Sequence, residues 1–145
     1  MSFMRLLESM HGHFGVLLTV ALLHPAILLR KGQPLSRGTK WSVALTSALS
    51  CVAFSLGCTI YEPYRAQIKR PLFFDHPSAG LLFETKEHLA FVVLALSLAA
   101  GVGAWTAPRH AKEARQAAAM MYATATLLCV LVGGIGTYVA STRGF

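Results

Sequence analysis

Charged residues are scarce in this sequence. Only 13% of the 145 residues are Asp, Glu, Lys or Arg, and only six of these are acidic. A soluble domain carries about 25% charged residues, so the composition indicates an integral membrane protein with almost no soluble part. The net charge of +7 comes from basic residues in connections beside apolar segments. Membrane topology accounts for that placement, and we expect no nucleic acid partner.

Cysteine motifs are also missing. The three cysteines are Cys51, Cys58 and Cys129, and neither CxxCH nor CxxC occurs. Covalent c-type haem is therefore excluded, and an iron–sulfur or zinc-ribbon site is not expected. The first apolar segment ends in Arg30-Lys31 without an Ala-x-Ala-like cleavage site, so we interpret it as a retained membrane span rather than a signal peptide.

Four long apolar segments are present instead, at about residues 10–29, 41–61, 87–107 and 117–140. Each is close to the ~20 residues that a helix needs to cross a bilayer. Short connections between the first and second segments, and between the third and fourth, favour antiparallel neighbours. The predicted fold is thus all-α: one integral membrane domain, residues 1–145, built as a four-helix up-down bundle.

The connection between the second and third spans, residues 62–86, is longer and contains Pro63, Pro71 and Pro77. These prolines preclude one continuous helix. The segment is also too apolar for a free loop, so we expect it to lie against the bundle or in the lipid headgroup layer. Thr85 is the expected N-cap of the third span, which would place His88 one turn inside that helix.

The orientation follows from the basic residues. The two short connections contain seven of them, and the other side of the predicted membrane contains six. Because basic residues favour the cytoplasmic side, this small excess predicts cytoplasmic short connections. Both termini would then be periplasmic, in a multi-pass protein of a bacterial inner membrane.

Three histidines lie within the first apolar stretch, at His11, His13 and His24. Ionisable side chains at membrane depth are costly and rare, which makes each of them a functional candidate. His13 and His24 are 11 residues apart, so they share one helix face and lie roughly 16 Å apart along the axis. A neutral imidazole can ligate a metal, relay a proton or hydrogen-bond a quinone. The alternative is interfacial solvation for His11 and His13, and a hydrogen bond to a neighbouring helix for His24.

His13 and His88 suggest a haem site. In an up-down bundle the first and third spans run parallel, and both histidines would lie about one turn inside the outer edge. That is the arrangement that two axial ligands of a b-type haem require, and small residues follow His88 at helical spacing, namely Ala95, Ala99 and Gly103. Ordinary close packing of membrane helices also explains these small residues. His11 is the alternative to His13 as ligand; we favour His13 because it shares its face with His24, which we expect to point into the bundle.

The other polar residues have two interpretations each. His24 could contact a quinone, with Arg30 and Tyr122 nearby, or ligate a second haem with Met120 or Met121. Glu84 and Glu87 flank His88 and could bond its imidazole or move protons, although acids at a helix start also favour the helix dipole. On the second span we expect a polar stripe to make interhelical hydrogen bonds: Ser47, Cys51, Ser55 and Cys58.

The stretch HGHFGVLLTVALLHPAILLR resembles the cytochrome b561 family. The similarity lies in a His-Gly pair that opens a span (His11-Gly12), a proline in its second half (Pro25) and an arginine at its end (Arg30). The stretch EHLAFVVLALSLAAGVGAW is similar to a later helix of that family, which opens with a haem-ligating histidine that matches His88. The resemblance covers roughly 40 residues and implies membrane electron transfer through b-type haem, with a quinone as a further partner.

Two functional hypotheses follow. The first is a small haem b electron-transfer protein, with one haem or two, that serves as a redox subunit of a respiratory or photosynthetic complex and is linked to quinone. The second is a cofactor-free structural subunit of a larger membrane complex. In both cases the expected partners are membrane lipid and other membrane subunits. A transporter is disfavoured, because no span shows the broken-helix pattern of transporters.

The topology makes a testable prediction. Single cysteines introduced at Ser2 and Gly144 should react with a membrane-impermeant thiol reagent added from the periplasmic side, because both termini are expected there. A cysteine at Gly38, in the first short connection, should react only after the membrane is opened. Labelling of position 38 in intact cells would contradict the orientation.

Overall fold

The computed structural model describes residues 3–143 and consists of helices joined by short connections. The helices are α1 (Phe3–Leu29), α2 (Arg37–Tyr64), α3 (Arg70–Asp75), α4 (Pro77–Thr106) and α5 (Lys112–Thr142). A π-helical turn, Arg65–Lys69, joins α2 to α3. No β-strand occurs among the described residues. The all-α prediction is confirmed, whereas Ser2 and Gly144 lie outside the described part of the chain.

Four helical segments are long and apolar enough to cross a membrane: Phe3–Leu29, Arg37–Asp75, Pro77–Thr106 and Lys112–Thr142. They contain the four predicted spans except for Ala107, the last residue of the third, and each extends further at one end or both. The extra length lies mainly at the ends that carry the charged residues, where apolar periodicity gives no signal. The sequence thus located the spans correctly but underestimated the lengths of the helices.

The prediction that residues 62–86 do not form one continuous helix is confirmed, but the segment is helical on both sides of a single break. Helical structure continues through Pro63 and the π-helical turn into α3, and it is interrupted only at His76 (φ −141°, ψ 73°). Pro71 lies in the first turn of α3, just after the π-helical turn, and Pro77 begins α4, where the missing N–H of proline has no helical partner to lose. Thr85 is not an N-cap but a residue inside α4, and its hydroxyl donates to the Leu81 carbonyl at 3.0 Å. His88 consequently lies eleven residues after Pro77 rather than one turn inside the helix.

The four long helices pack in a closed order. The α1 helix packs against α2 and α5, and α4 packs against the same two helices, so α1 and α4 are diagonal neighbours. The contact between α4 and α5 is the most extensive, because buried alanines on both helices allow close approach: Ala100, Ala104, Ala118, Ala119 and Ala125. Larger apolar side chains such as Leu18 and Leu22 fill the centre from α1.

The bundle has two distinct ends. We call the end with the two short connections, residues 30–36 and 107–111, the basic end, and the end with the α2–α3–α4 connection the hairpin end. At the basic end the Lys40 ammonium lies 5.9 Å from the Trp105 ring centroid. At the hairpin end Tyr64 and Phe83 stack with ring centroids 5.0 Å apart, within a second apolar cluster that also contains Leu72 and Val139.

Arg115 is the main organising residue of the basic end. Its side chain is 2% exposed and donates three hydrogen bonds to main-chain carbonyls: Nε to Gly32 at 2.9 Å, and the two terminal nitrogens to Pro108 at 2.7 Å and Arg109 at 2.8 Å. Gly32 adopts a positive φ of 65°, and a Cβ there would stand 2.4 Å from Cγ of Lys112. Arg115 therefore joins both short connections to the start of α5. Arg115 is one of the seven basic residues that the sequence analysis assigned to the two short connections.

Removing the guanidinium should destabilise the bundle. In Arg115→Met the carbonyls of Gly32, Pro108 and Arg109 lose their donor, and unpaired buried polar groups cost about 1–3 kcal/mol each. We expect the free energy of unfolding to fall by about 3 kcal/mol, measured by helical circular dichroism as the fraction of denaturing detergent in mixed micelles is raised. Arg109→Met, which alters an exposed side chain, is the control. Equal midpoints for the two variants would show that Arg115 does not organise this end.

Candidate functional site

A groove between α1 and α2 near the basic end contains His24. It has a volume of about 370 Å³, and its lining is mostly apolar, with three polar side chains among Ala21, His24, Gly38, Trp41, Ser42, Leu45, Thr46 and Leu49. His24 Nδ1 and Ser42 Oγ share a hydrogen bond of 2.8 Å. His24 is exposed on the groove side, whereas Ser42 is buried. The groove thus offers a hydrogen-bonding imidazole beside apolar walls.

The expected neighbours of His24 are not in this groove. Tyr122 is completely buried in the bundle core, and Arg30 is an exposed residue whose carbonyl accepts from Gln116 at 3.4 Å. Neither residue belongs to the groove lining. The sequence placed them near His24 because they lie at a similar depth, but they occupy other faces of the bundle.

His13 and His88 both lie on the outer surface. His13 Nδ1 donates to the Ser9 carbonyl at 2.7 Å, and His88 Nδ1 donates to the Glu84 carbonyl at 2.8 Å, each within its own helix. Both side chains are exposed, and their helices are diagonal neighbours in the bundle. The structure therefore does not bring the two imidazoles together. In each ring, Nδ1 carries the proton and Nε2 is the nitrogen that can accept or ligate.

His11, rather than His13, faces the interior. Its Nδ1 donates to the Ala53 carbonyl of α2 at 3.1 Å. Gly57 provides the room, because a Cβ at that position would stand 3.0 Å from Cε1 of His11. The sequence contains a signal for this orientation: Leu18 and Leu22 follow His11 at helical spacing, and both are buried. His13 and His24 do share a face, as the spacing predicted, but it is not the face that packs in the core.

A cluster of charged residues lies at the hairpin end, on the π-helical turn and α4. The Lys69 ammonium lies 2.7 Å from Oε2 of Glu87 and 3.6 Å from Oε1 of Glu84. The other oxygen of Glu87 is buried and has no hydrogen-bond partner among the described residues. The two carboxylates thus contact Lys69, whereas the His88 imidazole bonds only the main-chain carbonyl of Glu84. Both acids lie inside α4 rather than at its start. Sequence reasoning missed Lys69 because it placed that residue in the connection between the second and third spans.

Lys86 extends this cluster into the bundle. Its ammonium lies 5.2 Å from the Phe83 ring centroid, and it interacts electrostatically with Glu8, His11 and Glu87. Gly136 of α5 accommodates it, because a Cβ there would stand 3.4 Å from Cε and Nζ of Lys86. His11 of α1 and Lys86 of α4 thus lie against glycines of α2 and α5, respectively, and interact electrostatically with each other.

A row of hydroxyl groups extends from the groove along the inner face of α2. Ser42, Thr46 and Ser50 recur every four residues and are all buried. Thr46 Oγ1 donates to the Ala21 carbonyl at 2.9 Å, and Ser50 Oγ pairs with Ser97 Oγ of α4 at 2.7 Å. Of the stripe expected to make interhelical hydrogen bonds, Ser47 is half-buried and pairs with Tyr122 of α5. The other three members are exposed, namely Cys51, Ser55 and Cys58.

Tyr122 places a further hydroxyl beside this row. Its side chain is fully buried, and the Ser47 hydroxyl is the hydrogen-bonding group beside its oxygen. A Cβ on Gly101 would stand 3.2 Å from this oxygen and 2.7 Å from Ser47 Oγ. The absence of a side chain at Gly101 therefore leaves room for both hydroxyls in the core.

Residues 3–143 contain no group of three or more His, Cys, Asp or Glu side chains arranged to hold a metal ion. A haem needs only two protein ligands, so this observation does not bear on haem. No protein-family model matches this chain, and no curated protein or solved structure is significantly similar to it. The features of the molecule that bear on function are therefore the His24 groove, the other histidines and the row of hydroxyl groups on α2.

Proposed function

We propose that this chain spans a bacterial inner membrane four times as an up-down helix bundle, as a quinone-linked redox subunit of a larger membrane complex. The length and apolar character of the four helical segments support membrane insertion. Contacts such as His24 with Ser42 and His11 with Ala53 pair late residues of α1 with early residues of α2 and the reverse, as antiparallel neighbours do.

Exposed basic residues support the proposed orientation. Six lie at the basic end: Arg30, Lys31, Arg37, Lys40, Arg109 and Lys112. At the hairpin end only Arg5, Arg65 and Arg70 are exposed among the described basic residues, because Lys69, Lys86 and Arg143 are partly buried. The basic end is accordingly assigned to the cytoplasm and the hairpin end to the periplasm.

The observation that carries the quinone assignment is the His24–Ser42 pair in its apolar groove. A quinone combines two carbonyl oxygens with an apolar tail, and the groove combines a hydrogen-bonding imidazole with apolar walls. Pockets of this composition, mostly apolar with a few placed polar groups, are typical of small-molecule sites. The exposed side of the groove would face lipid, from which a quinone enters.

Loss of the imidazole should weaken quinone binding. In the intact complex, isolated through a tag on this chain, a photoreactive short-chain benzoquinone should label peptides of α1 and α2. His24→Leu should raise the apparent Kd about tenfold, the equivalent of one lost hydrogen bond of about 1.4 kcal/mol. His110→Leu, an exposed histidine at the same end but outside the groove, is the control. Equal labelling of the wild-type protein and His24→Leu would contradict the assignment of a quinone site to this groove.

A haem b is the second candidate, and the protonation of the outward histidines favours it. His13 and His88 each commit Nδ1 to a carbonyl and present Nε2 outward, as ligating histidines do. Because the two rings lie on diagonal helices, they do not fit a haem held by both within one bundle. We propose that each faces a neighbouring subunit that supplies the second ligand. A haem bound at His13 would supply one-electron transfer roughly 16 Å along the helix axis from His24.

The absorption spectrum of the purified complex tests the haem assignment. The reduced complex should show a b-type α-band and release non-covalent haem on extraction. Either His13→Ala or His88→Ala should lower the haem content, whereas His76→Ala, an exposed residue at the cap of α3, should not. A complex with no haem attached to this chain would contradict the haem assignment. The two histidines would then be polar contacts with a partner, and the chain would be a structural subunit.

A further inference from the structure

The outer surface between α2 and α4 combines basic, aromatic and apolar side chains. The contact between these two helices is the least extensive of the four contacts between long helices. Three facing pairs set their antiparallel register: Lys40 with Trp105, Ser50 with Ser97, and Phe54 with Phe91. The first of these pairs lies at the basic end. We call the surface that runs from this pair along α4 to Phe91 the α2–α4 face.

Two cations of α2 lie at the basic end of this face. Arg37 and Lys40 are three residues apart, so they share one side of the helix, and both are exposed. Neither has a carboxylate partner among residues 3–143, whose ion pairs involve only Lys69 and Arg143 as cations. The Lys40 ammonium lies 5.9 Å from the Trp105 ring centroid. Since an ammonium has three N–H donors, this contact leaves donors for an anion.

Beside these cations α4 presents a continuous apolar stripe. Its members recur every three or four residues, and all are exposed: Phe91, Ala95, Leu98, Val102 and Trp105. The stripe rises ~21 Å along the helix, whereas half of the hydrocarbon core of a bilayer is ~15 Å thick. One acyl chain can therefore lie along it through its own half of the membrane. Trp105 stands where the stripe meets the cations, the position at which tryptophan marks the boundary between headgroups and acyl chains.

We propose that the α2–α4 face binds one anionic phospholipid, with its phosphate on Arg37 and Lys40 and one acyl chain along the α4 stripe. Charge complementarity favours this occupant, because basic sites between membrane helices prefer lipids with a net negative charge. The only acidic residue of the basic end, Glu113, lies on α5 and not on either helix of this face. The proposal rests on the membrane placement in the proposed function, but on neither the quinone nor the haem.

The two tryptophans of the chain provide the measurement. Trp41→Phe leaves Trp105, which lies within the proposed site, as the only tryptophan. The full chain with this change is reconstituted into vesicles of phosphatidylcholine and phosphatidylglycerol, in which one of the two lipids carries bromine atoms on an acyl chain. Bromine quenches indole fluorescence at contact range, so the two series compare the two lipids beside Trp105. We expect the anionic lipid to be preferred about tenfold.

Substitutions in the same Trp41→Phe chain test the role of the cation. Lys40→Gln should lower the preference about fivefold, whereas Lys40→Arg retains the charge and should preserve it. Lys31→Gln is the matched control, because it removes the same charge from the same end, after α1, which is the diagonal neighbour of α4. Helical circular dichroism checks that each variant is folded.

The possible outcomes separate the lipid site from the membrane placement. Equal quenching by the two lipids would overturn the lipid site and leave the membrane placement intact. An equal loss of preference in Lys31→Gln and Lys40→Gln would also overturn the site, since the preference would then be a general attraction of the basic end for anionic lipid. Quenching by neither lipid would overturn the membrane placement of this end, and the lipid site with it.

Discussion

The three hydrogen bonds of the Arg115 guanidinium set the arrangement of the basic end. They join the carbonyl of Gly32, after α1, to those of Pro108 and Arg109, after α4. Carbonyls at helix ends lack partners within their helix, and one buried cation satisfies several of them at once. Because the C-terminal ends of α1 and α4 are joined to the start of α5, the depth of His24 relative to α4 and α5 is fixed as well.

The same need to satisfy polar groups explains the interior of the bundle. Each of the buried hydroxyls Ser42, Thr46 and Ser50 of α2 is paired with a group of a facing helix: the His24 imidazole, the Ala21 carbonyl and the Ser97 hydroxyl, respectively. Glycines on facing helices create the space for larger polar side chains, as Gly57 does for His11 and Gly136 does for Lys86. The interior of the bundle therefore provides these polar side chains with both hydrogen-bond partners and space.

The sequence predicted the helices well and the orientations of their side chains poorly. Length and apolar composition are enough to locate four long helices. The inner face of α1 was harder to identify, because exposed Val16, Leu17 and Val20 are as apolar as buried Leu18 and Leu22. Where all faces of a helix are apolar, periodicity does not mark the side that packs. This is why His13 was chosen as the inward histidine although His11 holds that position.

Two further differences have local causes that the sequence pattern conceals. The connection at residues 62–86 is helical because Pro71 and Pro77 lie in first turns and a π-helical turn follows Pro63. On α2 the stripe that begins at Ser47 lies directly beside the stripe that begins at Ser42, since Ser47 follows Thr46 and Cys51 follows Ser50. Both stripes contain polar residues. Only the packing of α1 and α4 against α2 selects the stripe from Ser42 as the buried one.

The length of the helix that includes α2 and α3 has a consequence for the placement of charge. Its 39 residues span ~58 Å, whereas the hydrocarbon core of a bilayer is about 30 Å thick. If Trp41 marks one boundary of the proposed membrane placement, the other lies near Tyr61, and Lys69 projects ~12 Å beyond it. The dielectric profile along the chain is then graded: uncharged hydroxyls occupy the low-dielectric centre, while the lysine–glutamate pairs stand among hydrated lipid headgroups. Full charges are thereby kept out of the region where their solvation energy would be lost.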